Sequence, residues 1–117
     1  MASVQRLVLQ SGAISGASGS TDAMSLEAYV TDVIGSVVCS AAGFTTFDAY
    51  LQHSPDGTTW FDVVQLAKPG GGSLAATGAM IASTTSPILG KVRMRWALTG
   101  GAQTATADFV VYYDKRK

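Results

Sequence analysis

"LQHSPDGTTWFDV", residues 51–63, sets two alternating runs on either side of Ser-Pro-Asp-Gly. Asp56-Gly57 between such runs is a strong hairpin signal, because Gly57 accepts a positive φ at no steric cost. Pro55 fixes its own φ and lacks the donor that would extend a ladder. Ser54 and Asp56 can close the turn by bonding nearby backbone N–H groups. Ser54, Pro55, Asp56 and Gly57 therefore read as a structural turn joining strands over 45–53 and 59–67.

The same stretch holds the chain's only histidine, so a hydrolytic set of His53, Ser54 and Asp56 has to be weighed. Successive strand residues point to opposite faces, and residues of one tight turn do not converge on a central imidazole. One His with scattered Asp residues also lacks metal-ligand spacing. Asp48 and Asp62 fall on the two strands of the hairpin, but Asp48 alternates with apolar residues on the solvent side, and both read as exposed strand acids. No catalytic, metal or cofactor site is expected, and the chain is not read as an enzyme.

Working outward, period two dominates. In "KVRMRWAL", 91–98, Val92, Met94, Trp96 and Leu98 alternate with Lys91, Arg93, Arg95 and Ala97. In "TATADFVVYY", 104–113, Ala105, Ala107, Phe109, Val111 and Tyr113 share one face. "SVQRLVLQ", "SLEAYVTDV", "GSVVCSA" and "WFDVVQLA" add further strands, while "SGAISGASGS" and "KPGGGSLAATGAMIASTTS" read as loops or as weak strands ordered by their neighbours. No segment keeps a helical period. About eight short antiparallel strands point to an all-β fold, an antiparallel β-sandwich of jelly-roll or immunoglobulin-like type. A chain of 117 residues suits one domain, 1–117. Residues 1–20 are either an extended arm that pairs with a neighbour's sheet edge or an ordinary edge strand.

The formal net charge is zero and 14% of residues are charged, so nothing draws the whole chain to nucleic acid or an anionic membrane. There is no run of membrane-spanning length and no signal-peptide pattern, so the chain reads as soluble. A weakly charged surface is consistent with burial in an assembly. Six acids stand against Arg6 and Lys68 up to Gly90, and six bases against Asp108 and Asp114 from Lys91 on. Arg93, Arg95, Lys115, Arg116 and Lys117 are the interface candidates, as a basic stripe without interleaved exposed aromatics. Cys39 has no partner for a disulfide and reads as a small core residue.

"SPDGTTW" is similar to the Asp-box turn of sialidase-type propellers, but lacks a residue between Asp56 and Gly57 and has no second copy. A broader likeness joins "FDAYLQHSPDGTTWFDV" to "KVRMRWALTGGAQTATADFVVYY". Together these resemble small virion proteins of tailed bacteriophages, over roughly residues 45 to 113. That resemblance implies a non-enzymatic structural role, often as a decoration or cement protein on the capsid. It implies a homo-oligomer, a trimer above all, that contacts the major capsid protein or another virion protein. The virion is then its location, after synthesis in the bacterial cytoplasm. The alternative is a carbohydrate- or receptor-binding module of a phage tail or fibre. Trp60, Phe61, Tyr50, Tyr112 and Tyr113 would be its stacking candidates, although Trp60 and Trp96 are more readily placed in the core.

Overall fold

The structure, a computed structural model, describes residues 3–26, 32–85, 87–88 and 90–115. Among them are nine strands and no helix: β1 (Ser3–Ser15), β2 (Ser18–Ser20), β3 (Met24–Ser25), β4 (Val33–Gly43), β5 (Thr46–Ser54), β6 (Phe61–Gln65), β7 (Gly78–Thr84), β8 (Lys91–Thr99) and β9 (Thr104–Lys115). They form two antiparallel sheets, one ordered β1-β9-β4-β7 and the other β2-β8-β5-β6, with β3 also on β8. β2 faces Arg95–Ala97 and β3 faces Lys91–Val92 on one edge of β8, so the two are pieces of a single interrupted edge strand.

Counted that way, eight strands run in the orders 1-8-3-6 and 2-7-4-5. This is the double Greek key of a jelly roll, and it differs from the immunoglobulin order. The β5–β6 hairpin at Asp56-Gly57 is the connection that stays within one sheet. Every other link between consecutive strands of the eight crosses to the opposite sheet.

The alternation seen in the sequence sets the core. Val92, Met94, Trp96 and Leu98 from β8 and Phe47, Ala49 and Leu51 from β5 face Ala105, Ala107, Phe109, Val111 and Tyr113 of β9. Phe47 and Phe109 meet across the sheets with ring centroids 6.1 Å apart. Each large side chain so buried contributes about 1.5–3 kcal/mol relative to exposure. Cys39 joins this core. Gly35 faces it from β4, where a Cβ would stand 3.2 Å from Met94 Cε.

Two bulges explain where period two misleads. The β1–β9 register shifts between Val8 and Gln10, and the β4–β9 register between Cys39 and Ala41. An extra residue reverses the phase of a strand. Leu9 and Ile14, odd and even, can thus both enter the core. The Gly- and Ser-rich stretch 11–20 is drawn into the end of β1 and into β2, and 78–84 becomes β7, ordered by pairing with β4 and by burial of Met80. The strand expected over "SLEAYVTDV" lies partly outside the described residues. Its described ends belong to β3 and β4.

The N-terminal stretch pairs within its own chain. β1 lies along β9 from Ser3 to Ser15, and the chain then switches sheets, with Gly16 N donating to Gln103 O and Leu98 N donating to Ala17 O.

Candidate interaction surfaces

At the hairpin tip, Ser54 ends β5 fully buried and accepts from Gly57 N at 2.8 Å, while its hydroxyl donates to Asp56 Oδ1 at 3.0 Å. Asp56 Oδ1 also accepts from Thr58 N at 2.8 Å and Thr59 N at 2.7 Å. Those backbone N–H groups, Thr59 first, with the Ser54 hydroxyl, hold the Asp56 carboxyl well below the usual carboxylate range. Gly57 has φ 82°, as the turn requires. The Ser54 hydroxyl hydrogen is thus directed to Asp56, and the His53 ring packs edge-on against Phe61. The arrangement closes a turn.

The outer face of the five-stranded sheet carries the predicted basic stripe. Gln52 points outward from β5, yet is only 6% exposed, because its neighbours cover it. Its Nε2 donates to Asp62 Oδ1 at 2.8 Å, and its Oε1 accepts from Arg93 Nε at 2.9 Å. Arg95 donates to Asp62 Oδ2 at 2.9 Å. That hydrogen bond, together with the one from Gln52, lowers the Asp62 pKa, whereas partial burial lowers that of Arg93. Both guanidiniums also stack on rings, Arg93 at 4.2 Å from the Trp60 centroid and Arg95 at 3.9 Å from that of Tyr50.

Half-buried aromatic rings, Trp60 and Tyr50, are thus interleaved with the stripe. Trp60 is half-buried on the surface, while Trp96 takes the core position expected of both. The signal for Trp60 was its place next to a turn, outside the alternating run of β6. Asp62 neutralises Arg95 directly, so the face stays near charge balance. Asp48 belongs to a separate network, accepting from the Ser73 hydroxyl and from Gln65 Nε2 at 3.4 Å. Asp48 and Asp62 are engaged by different partners. Lys115 closes β9 in the other sheet, its backbone opposite Ser3. Arg116 and Lys117 lie outside the described residues.

Sequence reasoning missed a second surface, on the outer face of the four-stranded sheet. Register places Val8, Val110, Ser36 and Ile81 in one row across β1, β9, β4 and β7. The row on one side is Arg6, Tyr112, Ile34 and Ser83; the row on the other is Ser11, Asp108, Val38 and Ala79. Of the exposed large apolar side chains among the described residues, Val4 (69%), Val8, Ile34, Val38 and Ile81 (56%) sit on this face, and Phe61 alone is elsewhere. Val33, Val37 and Met80 already fill the core from the same strands, so β4 and β7 are apolar on both faces. Beyond these rows, a shallow open depression of about 320 Å³ is lined by small residues including Ala13, Ala41 and Thr106. No cluster of three or more His, Cys, Asp or Glu suited to a metal occurs among the described residues. No helix among them is long and apolar enough to cross a membrane.

No protein-family model and no curated protein matches the chain. Among solved structures, one similar chain comes from "Structure of infectious bursal disease virus Gx strain", at TM-score 0.57 and 12% identity, over 97% of this chain and 32% of that one. This chain thus spans about a third of that protein's length. A second, "Crystal Structure of FLHE", aligns at TM-score 0.45 and 12% identity over 100% of this chain and 97% of the other. At such identity the viral likeness speaks to the shared β-sandwich fold.

Proposed function

We propose that this chain is a structural virion protein, a decoration or cement-type component that associates with itself and with the shell of a tailed bacteriophage. The observation that carries the reading is the outer face of the four-stranded sheet, where aliphatic side chains stand exposed on a chain with few charges. Single exposed apolar residues are ordinary, but a contiguous group of them on a monomer marks an interaction surface. Two further points support it: the likeness of residues 45–113 to small phage virion proteins, and a β-sandwich fold shared with a chain from a virus structure. Sheet-on-sheet docking needs only a rigid, patterned face, and the buried core on the opposite side of the sheet supplies that rigidity. The partners are then a further copy of the chain and the major capsid protein or another virion protein.

Particles of the phage that encodes the sequence, purified on a density gradient, test this reading. The chain is expected among their proteins in numbers comparable to the shell subunits. Particles that lack it overturn the proposal.

A second reading, a carbohydrate- or receptor-binding module of a tail or fibre, is favoured by Trp60 and Tyr50 beside Gln52 and Asp62 on the other sheet. Aromatic rings next to amide and carboxylate groups suit sugar recognition. Here, however, each ring already stacks on a guanidinium. Glycan titration followed by tryptophan fluorescence separates the readings: since Trp96 is buried, a change reports on Trp60, and a flat response across a broad panel rejects sugar binding.

A further inference from the structure

We infer that the outer face of the four-stranded sheet is a two-fold self-association surface, with the symmetry axis running along the row Val8, Val110, Ser36 and Ile81. This rests on the reading that the chain self-associates, and adds which face does so, in what orientation, and through which residues.

Register sets the orientation of the pair. Two sheets packed face to face by a two-fold operation have that axis in the plane between them. An axis along the central row sets each residue of the row against its own copy, so that exposed Val8 and Ile81 each meet their own copy, with Ser36 and the buried Val110 between them. The same operation exchanges the flanking rows. Ile34 on β4 then meets Val38 of the second copy. Arg6 on β1 comes over Ser11, whose hydroxyl donates to Asp108 on the adjacent strand. Arg6 and Asp108, both exposed, thus approach their opposites twice in the pair. An axis along the strands instead keeps each row opposite itself, which separates these charges from one another.

Size agrees. Four strands at about 4.8 Å spacing and roughly nine residues of length at about 3.3 Å rise give a face near 19 Å by 30 Å. Two such faces bury on the order of 1,200 Å², at the lower end for a specific interface. Aligned sheet packing, with strand directions within about 30°, is an ordinary geometry for twisted sheets. The pairing is dimeric, unlike the trimer expected from the sequence.

The experiment is light scattering after size exclusion on the full chain across a range of concentrations, with circular dichroism and thermal unfolding to verify folding of each variant. The wild type is expected at twice 12.1 kDa, dissociating on dilution. Ile81→Asp, which sets two carboxylates against each other at an exposed position, is expected to raise the dissociation constant by at least about a hundredfold. Arg6→Asp and Asp108→Arg each weaken the pair by about tenfold, and the double swap restores it to within about threefold of wild type. A monomer at every concentration, a trimer, a dimer indifferent to Ile81→Asp, or a swap that fails to restore association each overturns the inference. Failure here is separable from failure of the virion reading: a monomer recovered in particles removes the pairing alone, and a dimer absent from particles removes the virion role alone.

Discussion

The Arg93 guanidinium lies 4.2 Å from the centroid of the Trp60 ring while its Nε donates to Gln52 Oε1 at 2.9 Å. One cation thereby fastens the residue that follows the hairpin tip to two different strands. A cation over a partly exposed indole contributes about 0.5–1 kcal/mol. A double-mutant cycle of Arg93→Ala and Trp60→Ala, read by urea unfolding, is expected to show a coupling of that size. Additive single effects remove the contact as a source of stability.

Asp62 does more than pair with Arg95. The ion pair is open to solvent, at 37% and 46% side-chain exposure, and such pairs contribute from about zero to 1 kcal/mol. The same carboxylate accepts the amide hydrogen of buried Gln52, and a buried donor left without an acceptor costs about 1–3 kcal/mol. Asp62→Ala is therefore expected to destabilise the fold clearly more than Arg95→Ala in chemical denaturation. Equal losses show that Gln52 finds water or another acceptor once Asp62 is gone.

Acid should loosen the hairpin through Asp56. Its folded pKa is depressed by the Thr59, Thr58 and Ser54 donors, so its stabilising effect is full above the ordinary aspartate value of about 3.9. The effect fades as pH falls from there toward the lower folded value, because the proton then prefers the unfolded chain. Asp56→Asn keeps an acceptor oxygen but does not titrate in this range. The urea midpoint of the wild type is expected to drop more steeply between pH 5 and pH 3 than that of the variant. Parallel profiles show that the turn does not hold the carboxylate in its charged form.

The fold was readable wherever one face of a strand was apolar and the other polar. Val92 to Leu98 and Ala105 to Tyr113 announced their burial, and Asp56-Gly57 its turn. Legibility failed for three physical reasons. The bulges at Leu9 and Ser40 reverse phase, which no single period can describe. β7 has weak intrinsic preference and is ordered by its β4 neighbour. Ile34, Val38 and Ile81 look like core residues because the alternate positions on their strands are apolar too, so the exposed face became visible only with the register. Gln52 shows the converse: a polar residue on the outward side, buried by side chains from both adjacent strands.

Cys39 is 3% exposed, with its thiol donating to Ala41 O at 3.3 Å, and burial pushes its pKa up. A buried, protonated thiol is a poor nucleophile. A disulfide reagent at pH 8 is expected to leave the folded protein unlabelled over minutes and to titrate one thiol in denaturant. Rapid labelling of the native chain shows that the bulge beside Cys39 opens.

Gly19 sits opposite Trp96 where β2 pairs with β8, and a Cβ there would overlap the six-membered part of the indole. Trp96 is 5% exposed, and its Nε1 has no hydrogen-bond partner among the described residues, so packing alone positions the ring. β2 cannot easily retreat, since Leu98 N donates to Ala17 O on one side of it and Thr21 N to Met94 O on the other. Crowding a packed site of this kind costs about 1–3 kcal/mol. Gly19→Ala, made in a Trp60→Phe background so that Trp96 is the sole indole, is expected to lose stability in that range. Its emission should also shift to the red as the ring is displaced toward water. Unchanged stability and emission show that the edge strand lifts away freely, and that β2 contributes little to holding Trp96 in the core.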